Sequence, residues 1–294
     1  VDDAGIEWRT LNEEVIELIR TGQYDRGVVV AREALAVAEQ NVGDDQLDVA
    51  KSLGNLAILY YHQADFAKAE PLYKRALAIR EKVLGPDHPD GARILTALAR
   101  LYFEQSEYAK AEPLYKQAIA VREKALGPDH PDAATSLNNL AALYHHQGQY
   151  AKAETLFTRA LAVKEKTLGA DHPDVALSLN FLARLFFEQS EYAKAEPLFK
   201  RALAIGEKSL GADHPYLAVS LTYLALLYAN QAQYAKSEPL YKRVLAIHEK
   251  AFGPHHPDVA KSLENLADLY RKTDRQSQAV EIEERAAAIR AKQR

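Results

Sequence analysis

Residues 130–169 read "HPDAATSLNNLAALYHHQGQYAKAETLFTRALAVKEKTLG", and this stretch decides the fold. Leu137, Leu140, Ala141 and Tyr144 stand at i, i+3, i+4 and i+7, the spacing of one face of an amphipathic helix. A short break, "GQY", follows, then a second helical pattern that ends on Gly169. In an earlier copy the buried face of that second helix is Ala69, Tyr73, Ala76 and Leu77. Small residues such as Ala57 and Ala69 let two helix backbones approach closely, and the large residues fill the space around them.

The same unit recurs. "LGPDHPD" stands at 84–90 and 126–132, "LGADHPD" at 168–174, "LGADHPY" at 210–216 and "FGPHHPD" at 252–258, a constant step of 42 residues. The first-helix frame keeps the same step, from Leu53, Leu56, Ala57 and Tyr60 through to Leu263, Leu266, Ala267 and Tyr270. A fixed period of this size marks a stacked-repeat architecture.

The linker reads as punctuation. Gly85, Gly127, Gly169, Gly211 and Gly253 end second helices and are expected in the left-handed stop conformation. Pro89, Pro131, Pro173, Pro215 and Pro257 suit a first helical position, where the missing N–H costs nothing. The aspartates flank a helix N-terminus, where the dipole favours negative charge. The histidine is expected to pack or hydrogen-bond in the inter-repeat turn. Pro71, Pro113, Pro197 and Pro239 sit early in four second helices, so a mild kink or a later helix start is expected there.

The ends depart from the consensus. Residues 6–43 keep a helix pair around Trp8, Leu11, Val15 and Leu18, with "GDDQLD" at 43–48 in place of the usual turn. Residues 44–253 hold five 42-residue repeats, and 254–294 hold a last repeat with a highly charged final helix, "SQAVEIEERAAAIRAKQR". Both ends read as caps for an open core. The expectation is seven helix pairs in one all-α solenoid, with no separate domain.

Composition narrows the function. Net charge is −4, so no basic footprint points to nucleic acid or an anionic membrane. No apolar run approaches the ~18 residues of a membrane span. There is no cysteine, which removes disulfides and thiolate chemistry. There is no methionine, so the chain reads as a processed or truncated product. Five of the ten histidines belong to the linker, one repeat apart, too far to converge on one ion. Glu104, His146 and Glu188 occupy matching positions on successive helices and are the one remote metal possibility. No HExxH spacing, phosphate loop or nucleophile elbow occurs. No enzyme activity, cofactor or resident metal is expected.

The pattern "SLNNLAALY…QGQYAKAETLFTRALAVKEKTLG" resembles the tetratricopeptide repeat. Its 42-residue form with the "LGxDHPD" linker is similar to the repeats of kinesin light chains and their bacterial relatives, over about residues 6–292. The resemblance implies a right-handed superhelical solenoid of antiparallel helix pairs, first helices lining a concave groove. It implies a non-catalytic scaffold that binds an extended peptide segment of a partner protein there. It equally allows a sensor or adaptor arm of a larger signalling protein, or a self-associating scaffold. The opening, residues 1–31, looks like the start of repeat proteins that bacteria export, which favours an exported or periplasmic location over a cytoplasmic one. A monomer is expected.

Function should lie where the copies disagree. A first-helix stripe at i, i+4, i+7 and i+8 is expected to face the groove, and its candidates are Tyr61, Thr96, Arg100, Phe103 and Glu104, then Asn138, His145 and His146, then Asn180, Arg184, Phe187, Glu188 and Asn230. Tyr61, Phe103, His145 and Phe187 form an aromatic ladder. Arg100 and Arg184 suit an acidic or carboxylate-bearing peptide. In the kinesin light chain relatives, asparagines matching Asn138 and Asn180 hold the peptide main chain. The opposing reading is a duplicated 84-residue double unit, with Arg100–Glu104 a solvated i, i+4 pair and the aromatics packed on a neighbouring unit. Aromatic and arginine side chains are the usual interface anchors, which favours the groove.

Overall fold

The computed structural model describes residues 3–42 and 47–292, all of it helix and short turns. The chain divides into two compact units, Val1–Gln147 and Gly148–Arg294. The first holds α1 (Asp3–Arg20), α2 (Tyr24–Val42), α3 (Leu47–His62), α4 (Phe66–Leu84), α5 (Pro89–Glu104), α6 (Tyr108–Leu126) and α7 (Pro131–His146). The second holds α8 (Tyr150–Leu168), α9 (Pro173–Glu188), α10 (Tyr192–Leu210), α11 (Leu217–Asn230), α12 (Tyr234–Phe252), α13 (Pro257–Lys272) and α14 (Gln276–Ala291). Within each unit every helix packs antiparallel on the next, an all-α solenoid of paired helices. Residues 43–46, most of the expected "GDDQLD" turn, lie outside the described residues.

The core follows the sequence frame. Leu137, Leu140, Ala141 and Tyr144 are buried, as are their counterparts Leu221, Leu224, Ala225 and Tyr228. Ala57 and Ala69, then Ala99 and Ala111, are fully buried where paired helices meet. Each buried leucine contributes about 1.5–3 kcal/mol relative to an exposed one. Where Ser237 replaces that second-helix alanine, its hydroxyl donates to the Ala225 carbonyl at 2.8 Å, so no polar group is stranded.

The linker histidine turns out to be a helix cap. His88, His130, His172 and His256 occupy the N-cap, with Nδ1 accepting the backbone N–H two residues on at 3.1–3.2 Å. Proline follows as the first helical residue and aspartate as the second, as the sequence leads one to expect. Pro215 is the exception: α11 starts only at Leu217. Tyr216 stands where the other linkers have aspartate, so the first turn lacks its acid. Its bonds there are the tight Leu217 N–H to His214 and Ala218 N–H to Pro215, each 3.0 Å.

The glycine expectation needs correcting. The linker glycines have φ of 83–92°, but ψ of 152–162°, an extended region that only glycine enters readily. The left-handed helical residues lie instead in the turn inside a helix pair, at Ala64, Ser106, Ser190, Ala232 and Asp274. The prolines do not delay their helices. Helices α4, α6, α10 and α12 start at Phe66, Tyr108, Tyr192 and Tyr234 and run unbroken through the proline.

Neighbouring pairs are pinned by a repeated polar staple. The Tyr102 hydroxyl donates to Glu70 at 2.7 Å, Tyr144 to Glu112 at 2.8 Å and Tyr228 to Glu196 at 2.8 Å. Each glutamate also pairs with the lysine one turn on, Lys74, Lys116 or Lys200. Between α8 and α9 the staple cannot form in this way, because Thr158 and Phe186 replace the lysine and the tyrosine.

Candidate functional site

The first helices bury most of their surface and leave one narrow face open. On α3 it is Lys51, Asn55, Ile58 and His62; on α5, Arg93, Ala97, Arg100 and Glu104; on α7, Thr135, Asn139, Ala142 and His146. In the second unit it is Leu177, Phe181, Arg184 and Glu188 on α9, then Val219, Tyr223, Leu226 and Asn230 on α11, then Lys261, Asn265, Asp268 and Lys272 on α13. The true spacing is i, i+4, i+7, i+11. The core frame centres near residues 140–141 of α7, and the point opposite falls on Asn139 and Ala142, one residue round from Asn138.

That rotation removes three candidates from the surface. Asn138 is 6% exposed, Asn180 7% and His145 8%. The Asn180 side-chain oxygen accepts from Ser220 at 2.8 Å, a bond that ties α9 to α11. A peptide main chain has no access to these amides, and the ladder is broken at His145. Thr96 is half-buried and committed twice, donating to the Ala92 carbonyl at 2.8 Å and accepting from Arg122 at 3.1 Å.

The remaining candidates form local clusters. In the first unit the Tyr61 hydroxyl donates to Glu104 at 3.1 Å, and the Arg100 guanidinium lies 5.1 Å from the centre of the Tyr61 ring. Burial pushes the Tyr61 phenol up, against the pull of Arg100. Phe103 meets the edge of His146 at 4.9 Å and Tyr108 at 5.7 Å. Arg100, Phe103 and Glu104 join Tyr115, Asn139 and Ala142 around a small cavity of about 110 Å³. In the second unit Arg184 pairs with Glu188 at 3.4 Å, Phe187 packs edge-on to Tyr223 at 5.4 Å, and Asn230 donates to the Tyr192 hydroxyl at 3.2 Å. The ladder aromatics therefore serve inter-helix packing first, and the arginines carry the accessible charge. Among the described residues no group of three or more acidic or histidine side chains is placed to hold a metal ion.

Sequence reasoning passed over Asn139, Phe181, Tyr223 and Asn265, which share one position. Phe181 stacks on Phe157 at 5.7 Å and Tyr223 on Phe199 at 5.3 Å. The signal was present in the sequence: the second-helix position 157 or 199 is phenylalanine only where the next first helix brings an aromatic ring, and tyrosine at Tyr73, Tyr115 and Tyr241 where it brings alanine or asparagine.

The tetratricopeptide repeat pattern matches residues 18–82, 48–124, 105–166, 132–208, 187–232 and 216–292. The chain belongs to the tetratricopeptide-repeat family. No curated protein matches it. Among solved structures, a Podosopora anserina protein of the kinesin light chain kind, built of nearly identical TPR-like repeats, is 31% identical with a TM-score of 0.61, over 70% of this chain and 98% of that one. BtubC (BKLC) from P. vanneervenii is 24% identical with a TM-score of 0.65, over 78% of this chain and 90% of that one. The signal-transduction ATPase PH0952 of Pyrococcus horikoshii, which carries a tetratricopeptide repeat sensor, is 16% identical with a TM-score of 0.72, over 97% of this chain and 43% of that one. The last two likenesses are of fold alone. This tetratricopeptide-repeat chain is thus related to kinesin light chain repeats and has the character of a protein-binding scaffold. No helix among its described residues is long and apolar enough to cross a membrane.

Proposed function

We propose that the chain is a non-catalytic scaffold that holds an extended segment of a partner protein along the open face of its first helices. The observation that carries this reading is where the copies differ. Core, caps and staples repeat with little change, whereas the open face changes from helix to helix. In the first unit it is polar and carries Lys51, Arg93 and Arg100; in the second it is largely apolar on α9 and α11. Such variation on a constant frame is the pattern of a surface set by what it binds. Arg100 and Arg184 are each exposed or half-buried on this face and suit a carboxylate on the partner.

The test is affinity capture with the full chain as bait, from whole-cell lysate and from a periplasmic fraction, with Arg100→Glu/Arg184→Glu as the paired bait. A partner held by the parent chain and lost from the double variant, with an unchanged circular dichroism melt, supports the reading. A partner held equally by both removes the arginines from the site. The fraction that yields the partner also tests the exported location.

A further inference from the structure

The repeat supplies its own control. At 42-residue spacing the second helices carry Arg80, Arg122, Lys164, Gly206, His248 and Arg290. Where arginine occupies this position it reaches a neighbouring first helix. Arg80 pairs with Asp90 at 3.0 Å, Arg122 donates to Thr96 and Ser136, and Arg290 holds Glu264 through two bonds of 2.6 and 2.7 Å. His248 is shorter. Its Nδ1 lies 2.8 Å from the Ser262 hydroxyl and 3.2 Å from the Asp258 carbonyl, and the side chain reaches no further. A cavity of about 350 Å³ opens there between α11, α12 and α13, a volume in the range of ligand pockets.

Other departures from the repeat converge on the same cavity. Val219 stands where three other first helices have Lys51, Arg93 and Lys261. Tyr223 stands where three have asparagine, and Phe252 where four second helices end in leucine. All three line the cavity with His248. Val219 and Phe252 remain 49% and 43% exposed, so this apolar surface is not used by the core. The Tyr223 wall is preformed, stacked on Phe199 and edge-on to Phe187.

We infer that this cavity is an anchor site for one large neutral apolar side chain of an extended partner segment. The inference rests on the peptide-binding reading and adds to it a specificity that the arginines do not supply. Charge argues for a neutral occupant, because the two formal charges of the lining, Lys261 and Asp258, are opposite. Asn265 at the same wall carries both a donor and an acceptor, which suits the main-chain amide beside the anchor.

The experiment selects a displayed random heptapeptide library on the full chain. The selected peptides are then measured by fluorescence anisotropy on the parent chain, His248→Arg, Val219→Lys and Arg184→Glu. His248→Arg restores the residue that Arg80, Arg122 and Arg290 supply, and should fill the cavity without harm to the fold. Val219→Lys restores the residue of Lys51 and Lys261 at an exposed position, and decides the matter should His248→Arg melt early. The expected result is a shared Leu, Ile, Met, Phe or Trp in the selected peptides and a loss of at least about tenfold on both cavity variants. Peptides that lose affinity on Arg184→Glu but bind the cavity variants normally would overturn the anchor site and leave the groove reading standing. Peptides that share only acidic residues overturn it too. A library that yields no peptide overturns both.

Discussion

Ser190 and Ala232 take φ of 61° and 57°, left-handed values that cost a residue with a Cβ about 1 kcal/mol. The same turn in two other pairs uses Gly22 and Gly148, at φ of 72° and 71°. The constraint comes from the hydrogen bonds that close the turn, such as the Ser190 N–H to the Phe187 carbonyl at 2.9 Å. Ser190→Gly and Ala232→Gly should therefore each stabilise the chain slightly, by up to about 0.5 kcal/mol, the strain relieved less the added entropy of the unfolded glycine. Gly148→Ala should destabilise it by a similar amount. Urea melts followed by circular dichroism check the signs, and a destabilised Ala232→Gly would show that the left-handed turn carries no strain. The histidine cap is another lesson at this scale. "DHPD" invites thoughts of catalysis or metal, yet the imidazole Nδ1 does what a serine or asparagine oxygen does at other helix starts. Its place before proline was legible, whereas its role needed the geometry, because histidine is not among the usual capping residues.

At the scale of elements, the staple between helix pairs makes stability depend on pH. Glu238 accepts two bonds from Arg275, at 3.1 and 2.9 Å, and pairs with Lys242 at 2.8 Å. These bonds, Arg275 first, hold its carboxyl down at about 2, against an ordinary value of 4.5. A depressed carboxylate contributes stability that is complete above its unfolded pKa and is lost as the pH falls through the folded one. The window for Glu238 is therefore from about 4.5 down to about 2. Glu238→Gln should cost about 1–2 kcal/mol at pH 7, allowing for solvent screening, and much less near pH 2. Denaturant melts of both chains at pH 7, 4.5 and 3 check this, and parallel stability curves would exclude the linkage. The helices and their core were legible at this scale because Leu, Leu, Ala and an aromatic residue recur at i, i+3, i+4 and i+7 in every consensus copy. The open face was legible only in part. A core stripe this broad leaves a narrow exposed strip, and an error of one residue moves Asn138 and Asn180 from surface to interior. The cavity at His248 was not legible, because its volume depends on how far that side chain extends between α11 and α13, which the sequence does not show.

At the scale of the molecule, each helix packs, within its unit, mainly on its neighbours in sequence. Among the described residues, successive first helices add side-chain contacts within a unit, such as Tyr61 with Glu104 and Phe103 with His146. Stability in such an array is close to a sum of repeat and nearest-neighbour contributions, so unfolding can proceed from an end. The chain holds one tryptophan, placed to report on this. Trp8 on α1 is 8% exposed, and its indole N–H donates to Ser52 on α3 at 2.9 Å. Its emission therefore follows the α1–α3 contact, while far-ultraviolet circular dichroism follows all the helices. Helix α1 also leaves Ile6 and Ile16 about half exposed, at 52% and 49%, so its contribution to the core is thin. Guanidinium unfolding should then give a tryptophan midpoint below the circular dichroism midpoint, with a slope for the latter shallower than a single cooperative chain of this size would show. Ser52→Ala should lower the tryptophan midpoint further and leave the circular dichroism midpoint nearly in place, since one lost bond to α1 is felt by α1. Coincident curves that shift together in Ser52→Ala would mean that cooperativity extends well beyond neighbouring helices, and that the nearest-neighbour description fails for this protein.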